Sequence, residues 1–483
     1  MRHYSIFSRY CKPFLHFLPN RYGQTVQNRT KSMSEFFVVE TENLLYNKKS
    51  LSERRRHCLA QPAKRPRTAP KKRRPAARKE KPARSKHFYP MLVLIIFLAA
   101  IGMVIIQYYD NAPLPEKEPA RPATMVATLT AVGDINITPE LIEDALQVDG
   151  TYDFSSAFFD VAHLLYKSDL TLGNLELNFL GEPYGDYTAS APESLAITLR
   201  TLGFDILQTA NSKTLAGGIK GLRSTLETVR AHGIDPVGSY ASVGERNATG
   251  GVLVKEVNGI RIAFLAMTKG FDGMSIPDGN EYCTNVLYTD YDSVYSKVDT
   301  EQIVSLIESA KAQEPDVIIA LVHWGSEYRM TVSKTQKSIA DLMFRYGVDA
   351  VLGTHSHMAG PMEFRTVETV DGEEKEVFLA YSLGNFYGSD STIYAQESMI
   401  LNMEFSKDSE TGVTTITKAD YIPIYLTDHG EGTQDRYQTQ AIDLALDLYD
   451  QAFATKIPDT KVLEDAIETV EANTAPVVEE EED

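Results

Sequence analysis

From residue 126 onward, short runs rich in Val, Ile, Leu and Ala alternate with helical stretches, and this alternation restricts the fold more than any other feature of the sequence. Such a pattern builds an α/β sheet covered by helices. The strand-like runs are 126–132, 168–175, 204–210, 234–238, 316–323 and 348–352. Helical stretches at 154–165, 194–202, 221–231, 301–312 and 334–346 stand between them. Three further pairs of runs read as hairpins, turning at Asn258-Gly259, Asp371-Gly372 and Glu410-Thr-Gly412. Asn-Gly supplies the positive φ angles that a two-residue hairpin needs. Residues 441–453 read as a late helix, and 474–483 end in a run of acids that suits a solvated tail.

Several strand-like runs end in a polar or ionisable group. Asp134 follows Gly133, Glu176 follows Asn174-Leu175, and the third run leads into Asn211-Ser212-Lys213. His323 closes the run from Asp316, and His355 and His357 follow the run from Val348. Parallel strands bring such ends to one edge of a sheet, where α/β proteins place their sites. Two carboxylates and three imidazoles there can hold one or two divalent ions, with Mn, Zn or Fe suited to mixed N/O ligation. Taken singly, each has an ordinary structural reading. Asp134 suits a turn, Glu176 an ion pair or a helix cap, and His323 beside Trp324 a packed side chain. The pair His355-Ser-His357 is harder to explain by packing, because alternate residues of an extended segment face one way.

Charge divides the chain in two. Residues 1–87 hold 23 Lys and Arg against 5 Asp and Glu, which leaves 25 against 61 for the remainder of a chain with net charge −18. The halves meet at residues 91–106, sixteen residues without a charge, flanked by Phe88, Tyr89, Tyr108 and Tyr109. With its flanks this stretch suits one transmembrane helix, since a bilayer core of ~30 Å takes ~20 residues. A signal peptide fits poorly behind 87 residues of preceding chain. Lys71, Lys72, Arg73 and Arg74 lie just before the span, so the N-terminus is expected in the cytoplasm and the acidic part outside it. Beside a membrane such a basic run reads as topology and lipid contact, and no nucleic-acid partner is expected. Cys283 is alone in the outer part, so no intrachain disulfide is expected there.

The domain plan that follows has five parts. Residues 1–87 form a basic, largely disordered cytoplasmic segment, and 88–109 the transmembrane helix. Residues 110–124 form a Pro-rich linker, 125–430 the main domain, and 431–483 a C-terminal helix with an acidic tail.

Six segments resemble the bacterial capsule-synthesis CapA family, associated with poly-γ-glutamate production. They are Ala131-Val-Gly-Asp134-Ile, Asn174-Leu-Glu176, Ala210-Asn211 with 217–238, His323–Tyr328, 347–357 ending in Thr354-His-Ser-His357, and Tyr381-Ser-Leu-Gly-Asn-Phe386. They fall in the family's order over residues 126–427. The resemblance implies an α/β, four-layer αββα metallophosphoesterase-like sandwich. It also implies a metal site made by Asp134, Glu176, His323, His355 and His357. Where the family reads Ala-Asn-Asn-His, this chain has Ala210-Asn211-Ser212-Lys213. Ser212 thus stands at a ligand position and Lys213 at that of the general acid. Lysine, with a reference pKa near ~10.4, is a weak proton donor at neutral pH but holds an anion well.

The implied protein is membrane-anchored and extracytoplasmic, and acts in synthesis, export or anchoring of an anionic surface polymer beside capsule-synthase membrane subunits. Two alternatives stay open. One is a non-catalytic scaffold that binds polymer or synthase; the other is a secreted phosphoesterase unrelated to capsule.

Overall fold

The computed structural model describes residues 97–101, 103, 124–390, 392, 394–433, 435–450 and 460–477. Chain contacts divide the molecule into two units, 1–114 and 115–483. In the first, residues 97–101 and 103 are helical, and Phe97, Leu98, Ile101 and Met103 are exposed. Among the described residues no helix is long and apolar enough to cross a membrane. The basic segment 1–87 lies outside the described residues, as does most of the expected span 88–109 and of the linker 110–124.

The second unit runs β1 (Met125–Ile135), α1 (Pro139–Ala145), α2 (Ala162–Leu165), β2 (Leu170–Leu175), α3 (Ser194–Thr201), β3 (Ile206–Gln208), α4 (Gly218–Ala231) and β4 (Asp235–Val237). Next come α5 (Val243–Thr249), β5 (Leu253–Val257), β6 (Ile260–Thr268), α6 (Thr300–Lys311), β7 (Val317–His323), α7 (Lys334–Arg345) and β8 (Ala350–Thr354). The chain continues through β9 (Met362–Glu368), β10 (Glu374–Ala380), β11 (Asn385–Tyr387), β12 (Glu397–Lys407), β13 (Thr414–Asp428) and β14 (Tyr437–Ala441). It ends with α8 (Ile442–Asp450) and α9 (Thr460–Thr474).

These strands form two sheets. One has the order β14-β13-β12-β1-β2-β3-β4, with β11 also paired to β1; the other is β5-β6-β7-β8-β10-β9. β1 through β4 are mutually parallel, as are β6, β7, β8 and β10. The three expected hairpins are present as β5–β6, β9–β10 and β12–β13. Asn258 and Gly259 turn the first of these at φ +52° and +83°.

Side-chain alternation explains why the sheets face each other. In β7 the odd positions Val317, Ile319 and Leu321 join a core shared with Leu129 and Ala131 of β1 and Phe264 of β6. The even positions Ile318, Ala320 and Val322 pack instead on Ile303 and Ile307 of α6 and Ile339 and Met343 of α7. Leu195 and Leu199 of α3 and Val229 of α4 cover the outer face of the first sheet. The layers therefore run helix, sheet, sheet, helix. Strands buried on both faces need continuous apolar sequence, which β6 and β7 have. His323 continues the odd face of β7 and so points between the sheets.

The helix expected over 154–165 is broken into a 3-10 turn at Ser155–Phe158 and the short α2. Contacts with distant chain interrupt it. Phe158 stacks on Phe386 at 5.4 Å, and Asp160 accepts from Gln440 Nε2 at 2.7 Å. β14 and α9, left to a helix and tail in the sequence, join the fold: β14 pairs with β13, and Val470 of α9 enters the inter-sheet core. Immediately before β8, α7 begins with a capping box. The Gln336 N–H donates to Ser333 Oγ at 3.2 Å, and the Ser333 N–H donates to Gln336 Oε1 at 3.0 Å. Ser333→Ala should cost about 1 kcal/mol of stability, read as a lower midpoint in denaturant with an unchanged slope.

Candidate metal centre

The parallel strands deliver their polar ends to one cleft between the two sheets. Asp134 lies at the end of β1, Glu176 just past β2, and Ser212 beyond β3. His323 is the last residue of β7, and His355 and His357 follow β8. All six side chains are at most 3% exposed. The approach is tight enough to exclude side chains: a Cβ on Gly133 would lie 1.9 Å from the Gly384 carbonyl oxygen, and one on Gly353 would lie 2.0 Å from that of Tyr381. His355 and His357 have φ of +98° and +61°, a region that non-glycine residues rarely adopt.

Ligand-type atoms converge in three overlapping sets, each within 4.8 Å: Glu176, His323 and His355; Asp134, Glu176 and His357; Glu327, His355 and His357. Glu176 belongs to the two wholly buried sets. Its Oε2 and His355 Nδ1 are buried with no hydrogen-bond partner among the described residues, and the buried His323 Nε2 has only Glu176 Oε1, 3.4 Å away. Unsatisfied buried polar atoms are costly, and these three converging atoms fit a divalent cation.

A surrounding shell of hydrogen bonds orients these groups. Asn174 Nδ2 donates to Asp134 Oδ1 at 2.7 Å, and Asn211 Nδ2 donates to Asn174 Oδ1 at 3.0 Å. Asp134 Oδ2 accepts from the His355 N–H at 3.2 Å and lies 3.3 Å from His357 Nδ1. Asn385 Oδ1 lies 2.9 Å from the same nitrogen. Two acceptors at Nδ1 hold the ring proton there and leave Nε2 to face the cleft. His323 Nδ1 has two neighbours, Thr354 Oγ1 at 3.0 Å, which can accept a ring proton, and Asn174 Nδ2 at 3.3 Å, which can only donate.

The electrostatics match this packing. Burial alone would raise the Glu176 carboxyl, but the imidazoles of His323, His357 and His355 outweigh it and hold it well below the usual carboxylate range. Burial opposes protonation of His357, yet the charge of Glu176, then the hydrogen bond and charge of Asp134, lift its pKa to about 10. His355 falls well below its ordinary value through burial and the neighbouring His323.

Ser212 and Lys213 take different places. The Ser212 hydroxyl donates to Glu176 Oε1 at 2.6 Å, so it supports that carboxylate. Lys213 is paired at the cavity wall, with its ammonium 2.7 Å from Asp272 Oδ2 and within electrostatic reach of Glu176. Burial works against its charge, but the hydrogen bond and charge of Asp272 raise its pKa. The lysine that reaches the cluster is Lys269, directly after β6, with Nζ 3.3 Å from His355 Nε2. Burial lowers its pKa. A cavity of about 340 Å³ adjoins the cluster, lined by Ser212, Lys269, Asp272, Tyr295, Glu327 and His355.

Sequence reasoning did not single out Lys269, Thr354 or Asn385. Lys269 stands where the strand-end rule would have found it, and Asn385 lies inside the Tyr381–Phe386 segment.

Residues 128–390 match the family described as bacterial capsule synthesis protein PGA_cap. The capsule biosynthesis protein CapA of Bacillus anthracis is 25% identical over 301 residues, which are 60% of this chain and 66% of the relative. The chain thus spans just under two thirds of that relative's length. The PGA biosynthesis protein CapA of Bacillus subtilis (strain 168) is 24% identical over 395 residues, 80% of this chain and 93% of the relative. A solved structure of a phosphatase from Mycoplasma pneumoniae aligns at 15% identity and a TM-score of 0.36, covering 63% of this chain and 95% of that one, a likeness too slight to argue from. With more than half of its residues matched in order, this chain belongs to the bacterial capsule synthesis protein PGA_cap family.

Proposed function

We propose that the chain is a membrane-anchored, extracytoplasmic protein that serves the synthesis, export or anchoring of an anionic capsule polymer such as poly-γ-glutamate, and that it carries a metal-dependent, metallophosphoesterase-like site. Family membership and the names of the two CapA relatives support the capsule role. The uncharged stretch 91–106 behind a basic segment supports the anchor, with the N-terminus inside. Synthase subunits in the same membrane are the natural partners of a protein so placed. The observation that carries the site is the burial of Asp134, Glu176, His323, His355 and His357 around donor atoms that lack partners.

In this reading Glu176, His323 and His355 would hold one ion, and Asp134, Glu176 and His357 would hold a second. Metal bound there would supply Lewis acidity and would lower the pKa of a water for hydrolysis of a phosphoester or related bond. The protein's own residues do the positioning. Asn174 fixes Asp134, Ser212 fixes Glu176, and the inter-sheet core seals the base of the cleft. A non-catalytic scaffold is the second reading. Position 213 favours it, because its lysine is committed to Asp272 and presents no imidazole to a leaving group.

Metal analysis of the full-length protein in detergent, together with hydrolysis of a generic phosphodiester, separates the two. The enzyme reading expects bound metal near stoichiometry, with turnover reduced at least about a hundredfold in His355→Ala/His357→Ala. Bound metal without turnover, in a protein whose loss still abolishes surface polymer, selects the scaffold. A deletion strain with normal polymer overturns the capsule role.

A further inference from the structure

Two lysines stand near the cleft, and their surroundings differ. Lys213 has a carboxylate partner, Asp272, at 2.7 Å. Lys269 forms no ion pair among the described residues. Its Nζ donates to the Gly325 carbonyl oxygen at 2.8 Å, lies 3.3 Å from His355 Nε2 and sits 4.7 Å from the centre of the Tyr295 ring. These partners are neutral groups, and the carboxylates of Glu327 and Asp272 act on the partly buried ammonium only through space. A charge taken out of water is stabilised chiefly by pairing, and a ligand can supply the missing partner.

His355 makes this position more specific. Its Nδ1 is the partnerless atom in the metal-type cluster, and its Nε2 is the atom facing Lys269. An imidazole that ligates through Nδ1 carries its proton on Nε2. The ring edge then presents an N–H beside the ammonium, and two donors 3.3 Å apart cannot satisfy each other. An anionic oxygen placed between them satisfies both. Two carboxylates, Glu327 and Asp272, also line the cavity; Asp272 is neutralised by Lys213, which limits its repulsion of a ligand. The backbone fixes the geometry as well: the Lys269 N–H donates to the His323 carbonyl oxygen at 2.8 Å, which ties the lysine to a residue of the cluster.

We propose that Lys269, with the Nε2 edge of His355, is the anion-binding subsite of this centre and seats a carboxylate or phosphate oxygen of the substrate in the 340 Å³ cavity. This rests on the proposed metal reading of the cluster, and it assigns to Lys269 the electrostatic role that chain order suggested for Lys213.

The test uses full-length protein in detergent, loaded with Mn²⁺. Binding of inorganic phosphate and of a γ-linked glutamate trimer is measured by calorimetry for the parent, Lys269→Met, Lys269→Arg and Lys213→Met. Lys269→Met should weaken the preferred anion at least about tenfold, the loss of one charge-assisted contact. Lys269→Arg should recover most of that affinity. The arm that binds more tightly identifies the group as phosphate or carboxylate. Metal content is measured on every variant, so a failure of the metal reading appears as absent metal in the parent, separately from the anion result. Unchanged affinity in a folded, metal-replete Lys269→Met protein overturns the subsite, as does a loss confined to Lys213→Met, or no binding of either anion by the parent.

Discussion

Glu176→Gln should strip the site of tightly held metal while leaving the fold in place. The substitution keeps the side chain's size and its hydrogen bond from Ser212, so packing between the sheets is preserved. It removes the one carboxylate common to both buried ligand sets, Glu176–His323–His355 and Asp134–Glu176–His357. Three imidazoles then face the cleft with the buried Asp134 and the exposed Glu327 to offset them. A divalent ion would meet a weaker field at both positions at once, and affinity should fall by about a hundredfold or more. The effect is measurable without any substrate. At a metal concentration 100 times the parent's Kd, binding stabilises the folded state by about 2.7 kcal/mol, whereas a variant bound 100-fold more weakly gains only about 0.4 kcal/mol. Thermal melts with and without Mn²⁺ read this difference directly. Equal metal-induced shifts in parent and variant would show that Glu176 does not ligate.

A single methyl group at residue 353 should do more damage to the fold than any other change considered. Gly353 sits in β8 between β7 and β10, where a Cβ would lie 2.0 Å from the Tyr381 carbonyl oxygen and 2.6 Å from Trp324 Nε1. Those two atoms are bonded to each other at 2.9 Å, so neither can retreat without breaking a buried hydrogen bond. β8 must instead move away from Tyr381 and carry Thr354 and His355 with it. Overpacking of this kind costs typically 1–3 kcal/mol, and rigid backbone on one side places Gly353→Ala at about 3 kcal/mol or above. Denaturant unfolding should show that loss, and metal affinity should fall with it because His355 moves. A variant that melts within about one degree of the parent would mean that the strand relaxes freely.

The site was legible to the extent that topology dictates it. Asp134, Glu176, His323, His355 and His357 all follow apolar runs, and parallel pairing of those runs leaves them one place to go. The direction of a long side chain is not contained in such a rule. Lys213 follows β3 as expected, but its ammonium turns to Asp272, 59 residues further along the chain. Lys269 follows β6 equally regularly, yet lysine after a strand is commonplace, and only the register Thr268↔His323 brings it beside the histidines. β14 was hidden for a related reason. Its sequence Tyr-Gln-Thr-Gln-Ala is polar, and it is buried because Gln440 and Thr427 satisfy each other across the strand pair.

The loop that carries His355 and His357 has one more implication. Both residues hold positive φ, a conformation that costs of order 1–3 kcal/mol each for a side chain with a Cβ. The sheet keeps them there through the Asp134 carboxylate, which accepts the His355 N–H, and through the pairing of β8 with both its neighbours. Those contacts hold the loop through its backbone and through strand pairing. An ion that enters such a rigid nest has little reorganisation left to drive, so chelation should empty the centre without unfolding the surrounding layers.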